Sequence, residues 1–187
     1  MAMNFLHTQC LFSARIQRLS RVLAGACLVL TVVLPLVVAL YWLWADPVTL
    51  AVRANLPPGA VQGGLFAWQR IAGGLLTELV LVFLLLGIRQ ARRCLLLFTG
   101  NYVFTRQAVT YLSRFAAWAA VSALAEILAA TIISTILTAG NPPGMQHIAI
   151  GVGSDQLLLL FFAGMVWLMA GVISQGQKLA EENASFV

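Results

Sequence analysis

Four runs of about twenty residues pass with almost no charge, and such a chain has few folds open to it outside a lipid bilayer. The runs cover residues 22–44, 68–88, 115–138 and 156–174. At about 1.5 Å per helical residue, each reaches across a hydrocarbon core of about 30 Å. Backbone amides in lipid must be satisfied within the segment, so each run is expected to be a helix. Composition closes off a soluble core: of 187 residues, 61% are hydrophobic and 9% charged, with a mean hydropathy of +0.93. A soluble domain this small buries only about 70% of its surface, too little to hide the apolar excess. The expected fold is therefore all-α, a single membrane domain over residues 1–187 built as a four-helix transmembrane bundle.

Orientation follows from the basic residues. Arg15, Arg18 and Arg21 precede span 1, Arg89, Arg92, Arg93, Arg106 and Arg114 lie between spans 2 and 3, and Lys178 follows span 4. Only Arg53 and Arg70 fall on the other side. The positive-inside rule then puts both termini and the central connection in the cytoplasm, as in a multi-pass protein of a bacterial inner membrane. The net charge of +5 is accounted for by topology and by attraction to anionic headgroups, so direct nucleic-acid binding is not expected. The three amino-terminal arginines recur every third residue, which suits a short helix at the membrane surface ahead of span 1. Tyr41, Trp42 and Trp44 close that span at headgroup level, and Pro35 is expected to kink it or open one hydrogen bond.

The connections carry their own signals. The helical pattern of span 2 continues through Cys94, Leu95, Leu96, Leu97 and Phe98 to a turn at Gly100. Thr105 can cap the next helix, with Phe104 stapled to Val109. Spans 2 and 3 are thus expected to extend as a cytoplasmic helical hairpin over residues 89–114. On the opposite face, Asp46-Pro47 reads as a stop and Pro57-Pro58-Gly59 as a turn. Val48, Leu50 and Val52 alternate with other residues, as do Ile148, Ile150 and Val152, and two such stretches can pair as a small two-stranded ribbon.

Few residues offer chemistry. Cys10, Cys27 and Cys94 form no Cys-x-x-Cys pair, and His7 and His147 lie outside the spans. Zinc, dithiol and haem chemistry lack their ligands, no hydrolase set can be assembled, and no cofactor or enzymatic activity is expected. Two carboxyls are singular: Glu78 and Glu126 stand near the middle of spans 2 and 3. A carboxylate there must be protonated or find a partner. Thr77, Thr31, Ser122 and Ser134 are the candidate hydrogen-bond partners. Ser122, Glu126, Ala130 and Ser134 recur every four residues, a small, polar stripe that Gly74 and Glu78 mirror on span 2. Two readings stand side by side: a proton- or cation-coupled pair of a small transporter or channel component, and two carboxyls hydrogen-bonded between helices. Ala163-Gly164 and Ala170-Gly171 in span 4 read as helix packing. The hairpin likewise has two readings, lipid anchoring by Arg89, Arg92, Arg93, Arg106 and Arg114, or docking of a cytoplasmic protein on apolar residues beside a basic rim.

Three stretches carry a resemblance: Leu97-Phe98-Thr99-Gly100-Asn101-Tyr102-Val103-Phe104-Thr105, the basic, aromatic entry to span 3, and the tail from Gln175 through Leu179-Ala180-Glu181-Glu182-Asn183 to Val187. Together they resemble the bacterial four-span membrane family of unknown function, domain of unknown function 2975. The family's hairpin tends to be more acidic than Asn101-Tyr102-Val103. The resemblance implies an accessory membrane component that partners a small helix-turn-helix regulator, and it implies no catalytic residues. The leading expectation is a non-enzymatic sensor or regulatory partner of a cytoplasmic protein, in contact with membrane lipids and open to self-association. Transport through Glu78 and Glu126 is the alternative.

Overall fold

The computed structural model describes residues 2–57, 59–61, 64–100, 105–142, 146 and 148–185. The described residues form five helices: α1 (Ala2–Trp44), α2 (Pro47–Arg53), α3 (Ala67–Thr99), α4 (Arg106–Thr138) and α5 (Ser154–Ser185). Gln17–Trp44, Ala67–Thr99, Arg106–Thr138 and Ser154–Leu179 are each long and apolar enough to cross a membrane. The protein is an all-α, four-helix integral membrane protein.

No separate surface helix precedes span 1. Residues 2–24 contain neither glycine nor proline, so nothing interrupts the ladder and α1 runs unbroken through Arg15, Arg18 and Arg21. It also continues past Pro35. At 33 residues, α3 and α4 are each about 50 Å long, well beyond a hydrocarbon core of about 30 Å. The expected hairpin extension is therefore present. Its turn opens with the Gly100 N–H donating to the Leu97 carbonyl at 3.1 Å. Thr105 caps α4 as expected, its hydroxyl accepting the Ala108 N–H at 3.2 Å. Phe104 and its staple, with Asn101, Tyr102, Val103 and His147, lie outside the described residues, as do the side chains of His7 and Cys10.

The ribbon expected across the two opposite connections is absent among the described residues. Residues 47–53 are helical, because Pro47 at the first helical position presets φ and Asp46 precedes it as N-cap. The buried residues there are Leu50, Ala51 and Ala54, a helical spacing rather than an alternating one. With no strand opposite, Ile148, Ile150 and Val152 remain irregular and exposed. The turn at residues 57–60 does form. Ala60 N–H donates to the Pro57 carbonyl at 3.1 Å, and Gly59 adopts a φ of +81°, the sign required at the third position of a type II turn.

The chain divides into two compact units. Unit 1 comprises Met1–Thr31, Leu86–Trp118 and Phe162–Val187, and unit 2 comprises Val32–Leu85 and Ala119–Phe161. In unit 1, Gly87 lies against Trp118 and Phe115, and Cys94 is buried with its Sγ 3.6 Å from the Ala108 carbonyl oxygen. Small residues on facing stretches of α3 and α4 thus permit close approach. The two small pairs of α5 divide their work: Ala163 and Ala170 are buried, whereas Gly164 and Gly171 face open space.

In unit 2, Trp42, Leu50, Ala51, Ala54, Leu56, Ala60 and Leu137 form the core. Polar side chains close its helix ends. Gln69 is 1% exposed; its Oε1 accepts the Phe66 N–H at 2.8 Å, while its Nε2 donates to the Ile136 carbonyl at 2.8 Å. One amide therefore satisfies the start of α3 and the end of α4. Arg70 Nη1 donates to the carbonyls of Trp42, Leu43 and Ala45 at 3.1, 3.2 and 3.0 Å, placing a cation on the negative end of α1.

Candidate functional site

Unit 2 contains a cavity of about 230 Å³ to which every helix of the unit contributes. α1 supplies Val38, Tyr41 and Trp42. α3 supplies Thr77, Val80, Leu81 and Leu84, one helical face in steps of three and four. α4 supplies Ser122, Glu126, Ala129, Ala130 and Ile133 by the same rule. α2 and the residues after it add Leu50, Arg53, Ala54 and Asn55, and α5 adds Gln156.

Local structure sets the polar members in place. α2 ends in a Schellman motif: Leu56 N–H donates to the Ala51 carbonyl at 3.0 Å and Asn55 N–H to that of Val52 at 3.1 Å. Asn55 takes the left-handed position with φ of +55°, which asparagine tolerates better than most residues. Gly151 lies so close to the Asn55 side chain that a Cβ there would overlap it. The motif ends the helix at Arg53, whose guanidinium carbon lies 5.0 Å from the centroid of the Tyr41 ring. Glu126 is exposed on the cavity wall. The charges of Asp155 and Arg53 act on it, and Gln156 is within hydrogen-bonding reach. Gln156 Oε1 is buried with no hydrogen-bond partner.

The structure brings together part of the set expected from sequence. Thr77, Ser122 and Glu126 share the cavity; Glu78 does not line it. Glu78 is half-buried, with its Oε1 buried and lacking a hydrogen-bond partner. Three of the four residues in the α4 stripe line the wall. The fourth, Ser134, is fully buried and instead accepts the Ala149 N–H at 3.0 Å. Thr77 and Thr31 are also engaged elsewhere. The Thr77 hydroxyl donates to the Gly73 carbonyl at 2.8 Å and accepts the Trp42 indole N–H at 3.0 Å, while that of Thr31 donates to the Cys27 carbonyl at 2.7 Å.

Sequence reasoning missed Arg53, Tyr41, Asn55 and Gln156 as site residues. Arg53 carried one signal, as one of two basic residues on the arginine-poor side. The others are joined to Glu126 only by tertiary structure.

In unit 1, Arg89, Arg93, Arg106 and Arg114 are exposed, and Arg92 is half-buried with a buried Nε that lacks a hydrogen-bond partner. The same unit has a wide cleft of about 520 Å³ along α4 and α5, lined by Trp167, Gly164, Gly171, Thr110 and Ser113 among others. Among the described residues, its walls carry no charged side chain. The unit 2 cavity combines both signs of charge with apolar walls, the composition expected of a small-molecule site. No protein-family model, curated protein or solved structure matches the chain.

Proposed function

We propose that this chain is a non-enzymatic membrane sensor, which takes a small ligand in the unit 2 cavity and engages a cytoplasmic partner through the α3–α4 hairpin. The observation that carries this reading is the cavity itself, where Glu126 and Arg53 stand among apolar walls. α3 supplies a wall of that cavity at Thr77 to Leu84 and, further along the same helix, the hairpin arginines Arg89, Arg92 and Arg93. The distribution of basic residues supports a cytoplasmic hairpin and cytoplasmic termini in a bacterial inner membrane. The resemblance of the hairpin and tail to the four-span family of unknown function supports a small helix-turn-helix regulator as the partner.

The alternative is a small proton- or cation-coupled transporter using Glu78 and Glu126. Only Glu126 of the two reaches the cavity, which favours the sensor. Two measurements separate these readings. Partner recovery from solubilised membranes is compared for the native chain, for an Arg92→Gln/Arg93→Gln variant, and for Ala130→Phe, which fills the cavity. The sensor requires loss of the partner in the first variant and a changed recovery in the second. Equal recovery from all three would sink it. A pH-gradient-driven flux in proteoliposomes that disappears in Glu126→Gln would establish transport instead.

A further inference from the structure

The cavity of unit 2 holds two opposite charges that do not meet. Arg53 and Glu126 both line it, and among the described residues no salt bridge joins them. The guanidinium carbon lies over the Tyr41 ring instead, a contact that leaves N–H donors for an oxyanion. Around Glu126 the balance is reversed. Asp155 adds a second negative charge beside the Glu126 carboxylate. Carboxylate oxygens are acceptors, and an ammonium has three donors and no acceptor, so the two sets fit. Apolar side chains such as Val38, Val80, Leu81 and Ile133 complete the wall. The volume of about 230 Å³ exceeds the roughly 150 Å³ of a cavity that takes benzene, which sets the size of a compact guest.

We infer that this cavity takes a small zwitterion, its primary ammonium seated on Glu126, its oxyanion on Arg53 and its apolar part against the aliphatic wall. The inference rests on the ligand-sensing reading and names the chemistry of the ligand. Two sources share that chemistry: a free amino acid with an aliphatic side chain, and the aminoethyl-phosphate headgroup of a phospholipid.

The test uses the full chain in nanodiscs of phosphatidylglycerol alone, with thermal unfolding as the readout, because a ligand that binds only the folded state raises Tm. Leucine is titrated beside isopentylamine, which lacks its carboxylate, and isocaproate, which lacks its ammonium. A second set of nanodiscs carries phosphatidylethanolamine without added leucine. A saturable rise with leucine supports the inference and marks the free source; a rise with phosphatidylethanolamine alone supports it and marks the lipid source. Each single-charge analogue should bind about tenfold more weakly or worse, the factor expected for one lost charge-assisted hydrogen bond. Glu126→Gln and Arg53→Gln should each abolish the rise, while Leu128→Ala, an exposed neighbour on α4, keeps it. Should either neutral variant fail to fold, Glu126→Asp and Arg53→Lys report the same loss in weaker form. No rise with either zwitterion overturns the inference, as does isopentylamine matching leucine or a rise that survives in both cavity variants. The sensor reading stands or falls separately, on the partner-recovery comparison with Ala130→Phe.

Discussion

The indole of Trp42 occupies the space where any side chain at Gly73 would begin. Trp42 lies among three aromatics that sequence assigns to the headgroup level, yet it turns inward and is buried, whereas Trp44, two residues on, is 84% exposed. The absent Cβ at Gly73 permits that approach, and the indole N–H is then held by the Thr77 hydroxyl. Gly73→Ala should lower stability by about 1–3 kcal/mol, since the ring or the α3 backbone must shift. A detergent unfolding midpoint measures the loss, and the same substitution in a Trp42→Leu background should cost less, because the clash has gone. An unchanged midpoint in both backgrounds would mean that Trp42 does not pack on Gly73. Arg70 invites a second residue-scale test. Its guanidinium serves three carbonyls at the end of α1, so Arg70→Gln should destabilise by about 1.5–3 kcal/mol, the range for hydrogen bonds to charged groups. Arg70→Lys should recover part of that loss, because it restores the charge but not the planar fork.

The short helix α2 shows how an element can be misread and still be physically determined. Over seven residues, alternation and helical spacing fit the same letters, and Val48, Leu50 and Val52 satisfy the first as well as Leu50, Ala51 and Ala54 satisfy the second. Pro47 and the left-handed Asn55 at either end decide in favour of helix. Asn55→Gly should leave the α2 cap intact, whereas Asn55→Val should cost about 1–2 kcal/mol for a β-branched residue at positive φ. Comparing the two unfolding midpoints tests this, and equal midpoints would remove the Schellman motif from the account. The long helices were legible because apolar runs of such length admit one solution in lipid. The site was legible only along a helix: steps of four linked Ser122, Glu126 and Ala130, and the structure keeps these three together. Steps of four also enrolled Ser134, which the fold diverts to the Ala149 N–H, and the mirrored stripe on α3 suggested Glu78 where the wall presents Thr77, one residue and about 100° away. Arg53, Tyr41 and Gln156 sit on three different elements, and no periodicity in a single sequence can join them.

At the scale of the whole molecule, the distribution of basic residues becomes a statement about which face is which. Arg89, Arg92, Arg93, Arg106 and Arg114 belong to one connection, Arg15, Arg18 and Arg21 to the amino-terminal stretch and Lys178 to the tail, against Arg53 and Arg70 at the opposite ends of the helices. Moving such a set across a bilayer opposes the bias that insertion follows, since short connections rich in arginine are retained on the cytoplasmic side. The cavity lined by Arg53, Asn55 and Gln156 would then sit toward the outer face, where a periplasmic solute or outer-leaflet headgroup can reach it. A cysteine-free background carrying one new cysteine at a time tests this directly. Ile150→Cys, exposed in the connection before α5, should react with a membrane-impermeant thiol reagent added to spheroplasts, whereas Thr99→Cys at the hairpin should react only after the membrane is opened. The reverse pattern would invert the protein and turn the cavity toward the cytoplasm, so that a sensor of outer ligands could no longer be maintained. α5 continues as helix to Ser185, which sets Lys178 and Glu182 one turn apart. Ending the chain after Gln177 removes Lys178, Glu181 and Glu182 together, and the melting temperature should fall if these residues steady Arg92, Arg93 or Arg106. An unchanged value would leave the tail to a partner rather than to the fold.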